Sequence, residues 1–163
     1  MKRMFLSIII YLACMLVPFQ ALSQSEDFEK IGRQHFDNAY FKAVPRKNKI
    51  RADAEFALAE KALLKAIEQK PQQVDAYLYL GRTYFVQKKY AAAARIYRSA
   101  LEIAPQQKKI YLRLASALEK AGDYQGALDT LELLRAQESD ERTIRILNDL
   151  IAKIEKRIAQ NSN

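Results

Sequence analysis

The chain is predicted to be all-α, a row of helical hairpins closed by one longer helix, on three observations. Apolar and small residues recur at three- and four-residue steps through most of the chain beyond Gln24. One alternation of small and large residues returns at a spacing of 34 positions, as in Gly81, Ala93 and Ala100 set among Tyr77, Leu80, Tyr84 and Tyr97. Helix stops fall between the periodic segments, at Pro71, Pro105 and Gly122-Asp123. At 163 residues, 50% hydrophobic and 28% charged with 4 Gly and 4 Pro, the composition is that of one compact helical domain rather than a disordered chain.

Residues 1–23 are of another kind. Lys2 and Arg3 precede an apolar run from Met4 to Val17, followed by Pro18 and the small-residue pattern Ala21-Leu22-Ser23. This is the pattern of a secretory signal peptide, with a cut expected after Ser23. The run is shorter than the roughly 20 residues that cross a bilayer. Leu12-Ala13-Cys14 offers a second route, cleavage before a lipid-bearing cysteine, although Tyr11 stands where Leu is usual and apolar residues continue past Cys14. An uncleaved anchor is the third. Membrane contact is expected only if Cys14 is lipidated or the N-terminal helix stays uncleaved. Every route carries the domain across the inner membrane, and the expected location is a periplasm. Loss of Lys2 and Arg3 takes the formal net charge from +8 to +6, and loss of Cys14 removes the sole cysteine.

The domain proper spans 24–163. Its first hairpin covers about 26–71. A helix from Ser25 to about Lys42 carries Phe28, Ile31, Gly32, His35 and Phe36, spaced as Tyr77, Leu80, Gly81 and Tyr84 are in the next hairpin. From Gly32 to Ala59 is 27 steps, whereas from Gly81 to Ala93 is 12, an excess of 15 residues that either lengthens both helices or forms a loop. Pro45 places that loop around Ala43 to Arg51, and the five basic residues between Lys42 and Arg51 make it a basic protrusion. It is either a contact for an acidic partner or anionic headgroups, or a solvated connector. A long helix from Ala52 to Lys70 follows, with Phe56, Leu63 and Ile67 on its apolar side.

The second hairpin, 72–105, holds the clearest pattern: Tyr77, Leu80, Gly81 and Tyr84 on one helix, then Ala93, Tyr97, Ala100 and the closing Pro105. Small residues let the two backbones approach, and the large ones fill the remaining space. The third hairpin, 106–139, repeats it as Tyr111, Leu114, Ala115, Leu118, Ala127, Leu131, Leu134 and Ser139. Phe56, Tyr90 and Tyr124 recur near the start of each second helix, where a ring can close the corner. The last helix, 140–160, carries the stripe Ile144, Leu147, Leu150, Ile151, Ile154 and Ile158, with Arg145, Lys153 and Glu155 expected on its outer face. It caps the apolar end of the row, or else its stripe docks a partner.

Catalysis is hard to place. His35 is the only histidine, and it stands in the slot filled by Tyr84 and Leu118 elsewhere, where a packed and satisfied ring is expected. The sequence offers no metal-ligand set and no Gly-rich phosphate loop, and its carboxylates fall on exposed helical faces without a second group to tune them, so neither cofactor nor metal is expected. The positive charge is interspersed with acidic residues and has no nucleic-acid fingerprint beside it.

The second hairpin resembles a tetratricopeptide repeat, a 34-residue unit whose aromatic, Leu-Gly, Tyr, Ala, aromatic and Pro slots are all filled here; the third hairpin resembles it less closely and the first in part. That resemblance, running from about Phe28 to Ser139, implies a right-handed superhelical stack of three such hairpins plus the capping helix. It further implies a non-catalytic adaptor whose first helices line a concave groove for a peptide or protein partner. The residues it places there are Leu78, Arg82 and Phe85, then Leu112, Ser116 and Glu119, and from the first hairpin Glu29, Arg33 and Phe36. The family's clamp for acidic C-terminal tails is not matched, because no Asn stands at Arg33, Arg82 or Ser116. Alternatively, Leu78 and Phe85 pack against the neighbouring hairpin. As a cell-envelope adaptor the protein has one rival reading, a structural subunit of a pilus, outer-membrane or cytochrome-maturation assembly held by its end faces.

Overall fold

The computed structural model describes residues 27–161; the expectations for the signal peptide and Cys14 lie outside them. Among the described residues there are seven α-helices: α1 (Phe28–Asp37), α2 (Lys49–Gln69), α3 (Val74–Val86), α4 (Tyr90–Ile103), α5 (Lys108–Ala121), α6 (Tyr124–Ala136) and α7 (Glu141–Asn161). A π-helical segment, Asn38–Ala43, extends α1. Each helix packs chiefly against those before and after it, with a further contact of α1 on α3. The result is a right-handed superhelical stack.

Small residues set the helix separations. Ala59, Ala93 and Ala127, the matching small residues of the three second helices, have no exposed surface. A Cβ added at Gly81 would lie 2.4 Å from the Tyr97 ring, and one at Gly32 would lie 2.5 Å from Leu63. The third hairpin has Ala115 and Leu131 in those two slots, so a methyl group appears where the facing side chain is smaller than Tyr97.

The 15 extra residues lengthen both helices of the first hairpin. The connection shrinks to 44–48, because the π-helical segment carries the first helix on to Ala43 and Asn48 caps α2, its side chain accepting from the Arg51 N–H at 3.0 Å. The expected loop from Ala43 to Arg51 is corrected accordingly: Lys49, Ile50 and Arg51 form the first turn of α2. Phe56 then sits two turns into its helix, unlike Tyr90 and Tyr124, and buries against Phe36 with ring centres 6.0 Å apart. Gly122 ends α5 with φ of 86°, and Lys88 takes the corresponding corner of the second hairpin at 61°.

At the C-terminal end Leu147, Ile151 and Ile154 are buried, so α7 covers the stack with the face that could otherwise have docked a partner. Lys153 is exposed, as expected, but pairs with an earlier helix. It reaches back to Glu119 at 3.8 Å, beside Arg157 at 3.3 Å, because this flank of α7 lies over α5.

The join between α6 and α7 is held by two carboxylates. Glu138 accepts from the N–H groups of Ser139 and Asp140 and pairs with Lys108 at 2.6 Å, while Asp140 accepts from the Thr143 hydroxyl and N–H. The Lys108 contact first, then those N–H groups, holds Glu138 below its ordinary 4.5; Thr143 holds Asp140 below 3.8. Both folded-state values are depressed, so the stabilisation is complete above the unfolded values and fades as pH falls through the folded ones. Amide exchange of α7, corrected for its intrinsic pH dependence, should therefore quicken below about pH 4. Glu138→Gln with Asp140→Asn should flatten that response; an unchanged response in the double variant would refute it.

Candidate functional site

The first helices of the three hairpins turn one side toward the concavity of the stack, and side chains there enclose a cavity of about 340 Å³. Phe36 and Tyr40 wall it from the first hairpin; Arg82, Phe85, Val86 and Tyr97 from the second; Leu112, Arg113 and Ser116 from the third. A second cavity of about 330 Å³ continues past Leu112 and Ser116 to Ala115, Glu119 and Leu131, then to Leu150, Lys153 and Ile154 of α7. Leu112 and Ser116 border both, so the two form one groove.

Cation–aromatic contacts fix the wall. The Arg82 guanidinium carbon lies 4.5 Å from the Phe36 ring centre and 5.1 Å from that of Tyr79. Tyr40 stacks on Phe36 at 5.6 Å with the planes 11° apart, and Phe85 meets Tyr90 edge-on at 5.3 Å. Burial pushes the Tyr97 hydroxyl pKa up, while the charges of Arg113 and Arg82 pull it back. The first cavity thus carries two guanidinium groups among aromatic and aliphatic walls, and no carboxylate lines it.

Five of the expected groove residues meet in this first cavity: Phe36, Arg82, Phe85, Leu112 and Ser116. Leu112 is the most open, 41% exposed, whereas Phe36 has no exposed surface and acts by supporting Arg82 and Tyr40. Glu119 lines the second cavity but is already held by Lys153 and Arg157. Leu78 is a correction: it is 5% exposed, in one core with Ala94, Tyr97, Ile110 and Tyr111, because at that turn of α3 the third hairpin closes in. Arg33 lies outside both cavities, with its guanidinium 4.9 Å from the Tyr79 ring centre and 3.4 Å from Glu29. Glu29 also accepts from Gln73 at 3.1 Å and so braces α1 on α3.

Tyr40 and Arg113 were not foreseen. Tyr40 depends on the π-helical extension of α1, for which the 34-residue period has no slot. Arg113 did leave a signal, a lone cation within the apolar run Ile110, Tyr111, Leu112, Leu114 and Ala115. His35, half-buried, has its Nδ1 2.8 Å from Glu55 Oε2, and Tyr84 in the matching slot donates to Glu60 at 3.0 Å. Burial, with Glu60 adding to it, pushes the Tyr84 pKa up to about 12. Each brings a helix of one slot onto a carboxylate of α2.

Two family models, each described as tetratricopeptide repeat, match residues 51–108 and 85–154, so the matched stretch runs without a break from α2 into α7. Among solved structures, the TPR2B domain of yeast Sti1 in complex with pHsp70 is similar at 20% identity, covering 76% of this chain and 98% of that one with a TM-score of 0.55. The Sgt2 TPR domain from Aspergillus fumigatus is similar at 16% identity over 80% and 81%, TM-score 0.56. The Arabidopsis OM64 TPR domain is similar at 16% identity over 77% and 98%, TM-score 0.54. Such identities speak for the fold. A search of curated proteins finds no match in sequence.

Proposed function

Because the chain belongs to the tetratricopeptide repeat family, whose members mediate protein–protein interactions, we propose that it is a non-catalytic adaptor that holds a peptide segment of a protein partner in its concave groove. The observation that carries this reading is the first cavity: Arg82 and Arg113 stand among Phe85, Val86, Leu112 and Ser116 with no carboxylate between them. Such a wall suits an extended segment that alternates apolar side chains with acidic ones, each guanidinium taking a carboxylate or carbonyl oxygen. The yeast Sti1 domain in complex with pHsp70 is a relative of this fold that holds a partner. Export by residues 1–23 would place the adaptor in the cell envelope.

A photo-crosslinker at Leu112 tests the proposal. Crosslinked in its native extract, that position should capture one partner, and Arg82→Ala should weaken the purified complex at least about tenfold. The rival, a subunit held by its end faces, draws on Leu133 and Ile146, each 52% exposed on the last two helices. Capture from a crosslinker at Ile146 with none from Leu112 would favour that rival and overturn the groove.

A further inference from the structure

The corner of the lengthened first hairpin carries an apolar and cationic surface that the groove does not use. Phe41 is 61% exposed, Val44 45% and Ile50 86%, the highest among the exposed large hydrophobic side chains of the described residues. Five cations, Lys42, Arg46, Lys47, Lys49 and Arg51, lie within the same eleven residues, and no carboxylate falls between Asp37 and Asp53. Lys42 donates to Asn38, and Arg51 lies 4.0 Å from Glu55; Arg46, Lys47 and Lys49 form no ion pair among the described residues.

We infer that this corner is a docking element for an anionic phospholipid surface, with Phe41, Val44 and Ile50 entering the headgroup layer and the lysines and arginines meeting the lipid phosphates. Two features favour a bilayer over a folded partner. Val44 borders a cavity of about 270 Å³ shared with Val86 and Gln87, but Phe41 and Ile50 line neither it nor the groove and stand exposed at the tip, and a soft interface accepts a projecting ring or branched chain without matching its shape. Among the described residues only Arg51 of these cations pairs with a carboxylate, Glu55 at 4.0 Å, and such a positive surplus is the pattern that anionic headgroups attract and most protein surfaces, of mixed charge, do not. Among the described residues no helix is long and apolar enough to cross a membrane, so the contact is a surface one. The tip adjoins the groove, Phe41 meeting the wall ring of Tyr40 edge-on at 5.0 Å, but Phe41, Ile50 and the five cations do not line the groove's first cavity, so the inference does not rest on the groove reading.

Flotation with vesicles tests it, using the full chain as cells deliver it and variants made in the same background. The wild-type chain should float with an equimolar mixture of phosphatidylcholine and phosphatidylglycerol far more than with phosphatidylcholine alone. Lys47→Gln with Lys49→Gln should weaken that excess at least about tenfold, from roughly fivefold per cation, and high salt should do the same. Phe41→Ser with Ile50→Ser should also weaken it, while thermal unfolding of both double variants stays as in wild type, since every replaced side chain is exposed. Equal flotation of the variants and wild type would place any lipid contact in the N-terminal segment and overturn the inference. So would loss of self-association, rather than of flotation, in the Phe41/Ile50 variant, which would make the tip a contact between copies.

Discussion

Gly81→Ala is expected to lower the stability of the protein by about 1–3 kcal/mol, although alanine is the better helix former by close to 1 kcal/mol. The new Cβ would stand 2.4, 2.7 and 2.8 Å from three atoms of the Tyr97 ring. Tyr97 is 1% exposed and its ring borders the first cavity, so relief requires either the ring to swing into that groove, at the cost of its packing, or α3 and α4 to move apart. The third hairpin indicates the remedy, since Ala115 and Leu131 fill the same two slots there. Combining Gly81→Ala with Tyr97→Leu should cost less than the two single changes added together, by about 1 kcal/mol or more. Urea unfolding of the four proteins measures the cycle. A Gly81→Ala protein as stable as wild type would show that the close approach of the helices is not what the glycine serves.

Leu147→Ala is expected to remove about 2–5 kcal/mol, but from one end only. Leu147 is 1% exposed in the core that α7 shares with Leu131 and Leu134 of α6. In a row of repeats each unit is secured mainly by its neighbours, so a weakened last contact lets the terminal helix open while the middle persists. Hydrogen exchange should quicken throughout α7, moderately in α6, and little in α1 to α3. Uniform quickening would mean that the seven helices unfold as a single cooperative unit.

The second and third hairpins were legible in the sequence because their packing depends on side-chain size, and size is written in residue identity. Gly81, Ala93, Tyr97, Ala100, Leu114, Ala127 and Leu131 all lie buried, as the 34-residue pattern requires. The first hairpin was legible in part: Gly32 meets Leu63 as Gly81 meets Tyr97, but the sequence left open whether the 15 extra residues made helix or loop. The answer depends on Asn48 capping α2 early and on Ala39 and Ala43 burying against it, contacts between segments that periodicity within one segment does not record. The groove followed the same division. Arg82, Phe85, Leu112 and Ser116 were placed by their offset from packing slots, whereas Leu78 shares that offset yet is covered by the third hairpin. Lys153 is exposed as its place on the helix implied, but its pairing with Glu119, 34 positions earlier, is a contact between helices that the stripe does not record.

The stack grows by adding hairpins in succession, and Pro45 to Lys47 form an exposed connection within the first of them. Material added at such an exposed connection displaces no buried side chain, and the entropic toll of a longer closure rises only with the logarithm of its length. Pro45 to Lys47 is therefore a natural port for a grafted epitope or fluorophore, leaving both the groove and the terminal cap intact.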